Sequence, residues 1–189
     1  MFSFAITYFT MSISSIAVFC GSKNGNNPLY LQHAAELGKI FAQNNITLIY
    51  GGASVGIMGI MADTVMKNNG KVIGVIPKVL VDRERQHNSI TELIVADDMH
   101  ARKRKLYELC DAAVVLPGGF GTLDELFEML TWNQLSIHNK RIFLINSSGF
   151  YNHLFAHMQN LQSDGFLYDK LEERITILQQ PSELNQYLL

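Results

Sequence analysis

Residues 112–125 read AAVVLPGGFGTLDE. The first five are apolar with no polar alternation. Such a run has no face suited to water, so it predicts a strand buried on both sides, as in a parallel sheet. Pro117 stops it, Gly118 and Gly119 turn the chain, and after Gly121 the apolar residues return with helical spacing to about residue 136. Strand, glycine loop and helix in that order form the repeating unit of a doubly wound α/β domain.

The same unit recurs outward in both directions. Upstream, residues 16–20 (IAVFC), 46–50 (ITLIY) and 72–76 (VIGVI) are apolar runs, each ended by glycine or proline. Residues 28–43 and 56–69 lie between them with helical periodicity. A polar segment, residues 82–91, precedes a helix predicted from about Asp98 to Cys110. Downstream, residues 142–146 predict a strand, 151–162 a helix and 175–178 a short strand, and a last helix follows Pro181. The sum is a Rossmann-like α/β fold, a doubly wound parallel sheet with helices on both faces. Residues 13–189 read as one nucleotide-binding domain and residues 1–12 as an N-terminal tail.

Composition narrows the choice of function. The 189 residues are 48% hydrophobic and 17% charged, enough to bury a core and too apolar for disorder. A net charge of −2 gives no global basic field, which argues against nucleic acid as a partner. Cys20 and Cys110 make neither a disulfide framework nor a zinc-ligand cluster, and both read as buried thiols. No charged residue precedes Lys23, which invites a signal-peptide or anchor reading. Serines and threonines interrupt that stretch, no basic region opens it, and residues 16–22 are needed as a strand and its loop. What remains is too short to span a membrane. The expectation is a cytoplasmic protein with no membrane partner, and a translation start at Met11 would leave the preceding residues as a dispensable tail.

In this architecture ligands bind where strands end and the next helices begin. Three such loops are rich in glycine: Gly21-Ser22, residues 51–59 (GGASVGIMG) and residues 117–125. Glycines let backbone N–H groups converge on an anion, and a helix N-terminus adds a favourable dipole, so phosphate is the predicted ligand. No Gly-Lys-Ser/Thr follows, and the G-x-G-x-x-G dinucleotide pattern is absent. The plain reading of each loop is tight packing of strand against helix. Asp124 and Glu125, placed in the first helical turn, are on the plain reading partners of the helix dipole. A carboxylate beside a phosphate cradle repels the ligand, however, so its presence there points to chemistry, and Glu125 is read as catalytic.

Arg102-Lys103-Arg104-Lys105 hold four of the fifteen basic residues. Their plain reading is a solvated helix face. Successive helical residues are about 100° apart, so at most two reach the ligand edge. Arginine is the better candidate for phosphate or ribose. His153 and His157 lack the glutamate of a zinc-binding helix, and no metal is expected. Phe127 and Trp132 read as core or interface.

The motifs at residues 117–125 (PGGxGTxxE) and 99–103 (MHxRK) resemble those of the LONELY GUY (LOG) family, the cytokinin riboside 5′-monophosphate phosphoribohydrolases. AVFCGS at residues 17–22, YGGxxxGxMG at 50–59 and TWNQLSIH at 131–138 extend the likeness. The resemblance implies hydrolysis of the N-glycosidic bond of an N6-modified or plain adenosine 5′-monophosphate, giving free base and ribose 5-phosphate. It implies Arg102 and Glu125 as the catalytic pair. Substrate contacts are implied at Glu84, Arg102, Lys103, Gly119, Phe120, Gly121, Thr122, Leu123, Asp124, Glu125 and Thr131. The loop reading adds Gly21, Ser22, Gly51, Gly52, Met58, Pro117 and Gly118. A homodimer with sites near its interface is also implied, with no metal and no organic cofactor.

Cleavage of an N-glycosidic bond builds oxocarbenium character on the ribose, which a carboxylate near C1′ stabilises while it orients water. The family often carries the label lysine decarboxylase. Pyridoxal chemistry needs a Schiff-base lysine and a partner for the ring nitrogen, and no segment advertises either. Two departures, Ala53 where the family commonly has a third glycine and Phe120 where it commonly has tyrosine, bear on base selectivity rather than reaction class. The rival reading is a non-catalytic carrier of a nucleotide or phosphorylated cofactor, such as the molybdenum cofactor, on the same fold. A carrier has no need to combine Arg102 with Glu125.

Overall fold

Strand β1 (Ser15–Phe19) is the first element of a computed structural model that describes residues 13–81 and 86–188. Helix α1 (Leu29–Gln43), β2 (Thr47–Tyr50), α2 (Gly56–Lys67) and β3 (Val72–Pro77) follow. Next come β4 (Glu92–Ala96), α3 (Met99–Leu109), β5 (Ala112–Val115) and α4 (Phe120–Gln134). The chain ends with β6 (Arg141–Ile145), α5 (Asn152–Ser163), α6 (Leu171–Arg174), β7 (Thr176–Leu178) and a 3-10 segment, Pro181–Tyr187. Glu84, the tail and Met11 lie outside the described residues.

All strand pairings are parallel, in the order β4-β3-β2-β1-β5-β6-β7. The winding reverses between β1 and β5, so the loops leaving these two strands part to opposite faces and open a crevice. One core packs α1 and α2 against one face of the sheet, around Ile16, Leu48, Phe41 and Met61. The other packs α3, α4 and α5 against the opposite face, around Phe19, Leu106, Val115 and Leu126. The expected doubly wound sheet is the observed one. No described helix is long and apolar enough to cross a membrane.

Local chemistry sets the ends of elements near the crevice. Asp98 caps α3, its carboxylate accepting from the Ala101 N–H at 2.8 Å. Asp111, between α3 and β5, accepts from the backbone N–H and hydroxyl of both Ser14 and Ser15 at 2.8–3.0 Å. It thereby pins the start of β1 to the start of β5. Cys20 and Cys110 are free and buried.

Three strands end one residue earlier than expected, and β3 runs one residue further, through Pro77. Cys20, Leu116 and Asn146 lie just past β1, β5 and β6 yet remain buried, the first two in the core and Asn146 accepting from the Tyr151 N–H at 2.8 Å. Strand β4 was not expected, and its exposure explains why. It lies on the sheet edge with only β3 beside it, and Glu92 and Val95 face water. Its run is short, residues 93–96 (LIVA), and is hemmed by Glu92 and by Asp97-Asp98 at the start of the next helix. Helix α6 is too short to show a helical period.

Candidate active site

The crevice at the β1/β5 reversal is a cleft of about 510 Å³. Its floor is the crossing of two loops. Gly21 donates from its N–H to the Pro117 carbonyl at 3.0 Å. A Cβ on Gly118 would stand 2.1 Å from Thr122 Oγ1 and 2.9 Å from the Gly21 nitrogen, so the crossing tolerates only glycine. Gly119 is the N-cap of α4 and offers no side-chain cap. The Thr122 N–H donates to the Gly119 carbonyl at 3.1 Å, and the N–H groups of Phe120 and Gly121 are left to face the cleft. Gly119 and Gly121 look onto open space, with nothing within 4 Å of where a Cβ would stand.

Helix α4 starts at Phe120, earlier than expected, and this changes the reading of its acids. No acidic residue lies in its first turn. Asp124 and Glu125 belong to the second turn, where the dipole has largely lost its hold. Glu125 instead turns inward. Its Oε1 lies 2.7 Å from Arg102 Nη1, and both side chains are 7% exposed. Arg102 also donates from Nε to the Val75 carbonyl at 3.1 Å. Burial pushes the Glu125 carboxyl above the usual glutamate range, while the Arg102 guanidinium pulls it back.

Only the first two members of the basic run face inward. Arg102 reaches the cleft, and Lys103 lies behind it, 3.2 Å from Asp124 and 3.1 Å from Glu128. Burial opposes the charge on Lys103, and the hydrogen bonds to Glu128 and Asp124 outweigh it, raising its pKa. Arg104 is exposed and Lys105 stands 3.9 Å from Glu108.

Twelve of the expected site residues line the cleft: Gly21, Ser22, Met58, Arg102, Pro117, Gly118, Gly119, Phe120, Gly121, Thr122, Asp124 and Glu125. Gly51 sits behind the wall, where a Cβ would meet Arg102 Nη2 at 2.6 Å, so its bareness makes room for the guanidinium. Gly52 is buried, with φ +81°, and packs against Ile76 and Leu93. Lys103 and Leu123 lie outside the lining. Thr131 is on the outer face of α4, its hydroxyl donating to the Phe127 carbonyl at 2.7 Å, in a separate groove with Leu161 and Tyr168.

Lys23, Tyr30, Leu80, Met99 and Phe150 also line the cleft without having been expected. Lys23 adjoins a quoted motif and Met99 opens one, so the sequence signals both. Phe150 had no such signal. It arrives through a 3-10 turn, Ser147–Gly149, with left-handed Ser148 and Gly149, and its ring packs edge-on against Tyr30 at 5.5 Å. His33 anchors that turn, with Nδ1 2.7 Å from Ser147 Oγ. Among the described residues no cluster of three or more His, Cys, Asp or Glu could hold a metal ion.

Residues 58–188 match the protein family described as possible lysine decarboxylase. The chain is 44% identical over 152 residues to the cytokinin riboside 5′-monophosphate phosphoribohydrolase LOG1 of Arabidopsis thaliana, covering 80% of this chain and 71% of that one. It is 41% identical over 173 residues to the probable enzyme LOGL2 of Oryza sativa subsp. japonica, covering 92% and 71%. To the enzyme of the same name in Rhodococcoides fascians it is 40% identical over 164 residues, covering 86% and 83%. Among solved structures, the molybdenum cofactor binding protein of Rippkaea orientalis superposes with a TM-score of 0.69 at 24% identity, covering 93% of this chain and 95% of that one. The molybdenum cofactor carrier protein of Chlamydomonas reinhardtii gives 0.69 at 21%, covering 92% and 97%. At such identity these two share the fold. The sequence matches, each spanning most of both chains at 40% identity or more, place the chain in the LOG family.

Proposed function

We propose that this chain hydrolyses the N-glycosidic bond of purine nucleoside 5′-monophosphates, N6-modified adenosine 5′-monophosphates in particular, releasing the free base and ribose 5-phosphate. The observation that carries this reading is the buried Arg102–Glu125 pair, set in the wall of a cleft whose floor is an uncapped helix N-terminus. The names of the relatives support it.

The N–H groups of Gly119, Phe120 and Gly121 hold the 5′-phosphate, and this positions C1′ against the acid on the next turn. As the bond from C1′ to the base nitrogen breaks, its electron pair leaves with the base. Positive charge then builds on C1′ and the ring oxygen. The Glu125 carboxylate, ionised and desolvated, stabilises that charge. It also accepts a proton from the water whose oxygen bonds to C1′, and the departing base takes up a proton from solvent, so that neutral base and ribose 5-phosphate result. Arg102 keeps Glu125 ionised against burial and fixes its orientation. A second copy of the chain covers the apolar outer face of α4, and the protein acts in the cytoplasm.

Incubation of the purified protein with AMP and with isopentenyladenosine monophosphate, followed by chromatography of the free base, tests the reading. Base release is expected from the wild type and not from Glu125→Gln. Nucleotides that bind and stay intact would establish a carrier instead.

A further inference from the structure

The charge balance of the cleft is incomplete for a phosphate ester. Its described lining holds two cations, Arg102 and Lys23, and two carboxylates, Asp124 and Glu125. Arg102 is committed to Glu125 at 2.7 Å. Asp124 faces Lys103, whose ammonium is shared with Glu128. The α4 N-terminus contributes roughly half a positive charge, whereas a phosphate monoester carries nearly two negative charges at neutral pH. One further cation is needed on the phosphate side. Lys23 is the lining cation that has no carboxylate within ion-pair distance among the described residues.

The backbone holds Lys23 where that charge is wanted. Gly56, with φ +65°, opens α2 hard against the Ser22–Lys23 peptide. A Cβ there would stand 2.3 Å from the Ser22 carbonyl carbon and 2.5 Å from the Lys23 nitrogen. On the other side the Gly21–Pro117 hydrogen bond ties the same loop to the turn that opens α4. Beyond Lys23, Gly25 lies over the Tyr30 ring, 2.8 Å from where its Cβ would be. The loop backbone is therefore clamped at three points, and the exposed Lys23 side chain extends from it.

We propose that Lys23 is the phosphate-specificity residue of this cleft. Its ammonium supplies the counter-charge to the 5′-phosphate seated on the α4 N-terminus, and so sets the preference for nucleotide over nucleoside. This rests on the nucleotide reading above. Lys23 does not touch the reacting atoms, so its effect falls on binding rather than on the chemical step.

The test is steady-state release of adenine from AMP and from adenosine by the full chain, as wild type, Lys23→Met and Lys23→Arg. Lys23 is exposed, so neither variant disturbs the core. Lys23→Met is expected to raise KM for AMP by roughly tenfold to a hundredfold, the size of one charged hydrogen bond, with kcat little changed. Turnover of adenosine stays the same, and Lys23→Arg restores most of the AMP affinity. An unchanged KM, equal losses on AMP and adenosine, or a fall confined to kcat overturns the assignment. A wild type that releases no adenine would refute the glycosidase reading while leaving Lys23 to a second measurement. Calorimetric binding of ribose 5-phosphate then decides. Binding weakened at least tenfold in Lys23→Met supports the role, and equal binding overturns it.

Discussion

Arg102 Nη1 and Glu125 Oε1 meet at 2.7 Å across the gap between α3 and α4, where neither side chain is more than 7% exposed. Removing one partner strands the other without water. Arg102→Met is expected to cost about 3–5 kcal/mol of stability, as is usual for a buried pair broken on one side. The double variant Arg102→Met/Glu125→Leu should recover most of that loss while remaining inactive. Urea denaturation of the two variants checks this, and equal destabilisation of single and double would show that the pair is not coupled.

The same pair fixes the acid limb of activity. Burial raises the Glu125 pKa above its usual value of about 4.3, and the carboxylate must be ionised to act. Activity is therefore expected to fall as pH drops through a point above that value. A pH profile of kcat/KM for base release locates the limb. A limb at or below the ordinary glutamate value would contradict the assignment.

Two glycines of one loop should respond in opposite ways. Gly118→Ala drives a Cβ into Thr122 and Gly21, so it should lower stability and activity together. Gly121→Ala meets open space inside α4 and should leave stability equal or higher by up to about 0.5–1 kcal/mol. It narrows the cleft floor, however, and should weaken binding of ribose 5-phosphate. Thermal denaturation and calorimetry separate the two effects.

Asp111 gives a pH-dependent stability. Burial opposes its charge, but the hydrogen bonds from Ser14 and Ser15 outweigh it and lower its pKa in the folded state. A lowered folded pKa gives stability that is full above the unfolded value of about 3.9 and is lost as pH falls through the folded value. Asp111→Ala is expected to cost about 1–2 kcal/mol at neutral pH, and less in acid. Urea midpoints of both proteins at pH 7 and pH 3 check the sign.

The outer face of α4 and the segment after it expose Phe127, Leu135 and Ile137. Light scattering is expected to return the mass of a dimer, and Leu135→Asp with Ile137→Asp the mass of a monomer. Thr131 points into this face, so its implied contact with substrate requires the partner copy.

The central strands and the third glycine loop were legible because residues 112–116 are buried on both faces and proline and glycine punctuate them. β4 was not, although residues 93–96 (LIVA) are apolar, because that short run lies between acidic residues and no glycine or proline punctuates its end. The acids of α4 were found but put in the wrong turn, because sequence reading started the helix after Gly121 rather than at Phe120. Lys23 and Phe150 belong to loops after β1 and β6. Only the strand order, which no local pattern encodes, makes them neighbours of Glu125. Gly51 and Gly52 carried a genuine glycine signal, but in the single chain it reports room for Arg102 and a left-handed turn.

Asp111 also ties assembly to time. It grips Ser15 across 96 residues of chain, and β5 is the strand that closes the open side of β1. While the chain is being synthesised, β1 can pair with β2 early, yet its other edge has no partner until more than half the protein has emerged. Contacts so distant in sequence form late and slowly. Through that interval an apolar strand edge stands unpaired, which makes the nascent chain prone to aggregate before the nucleotide cleft can exist.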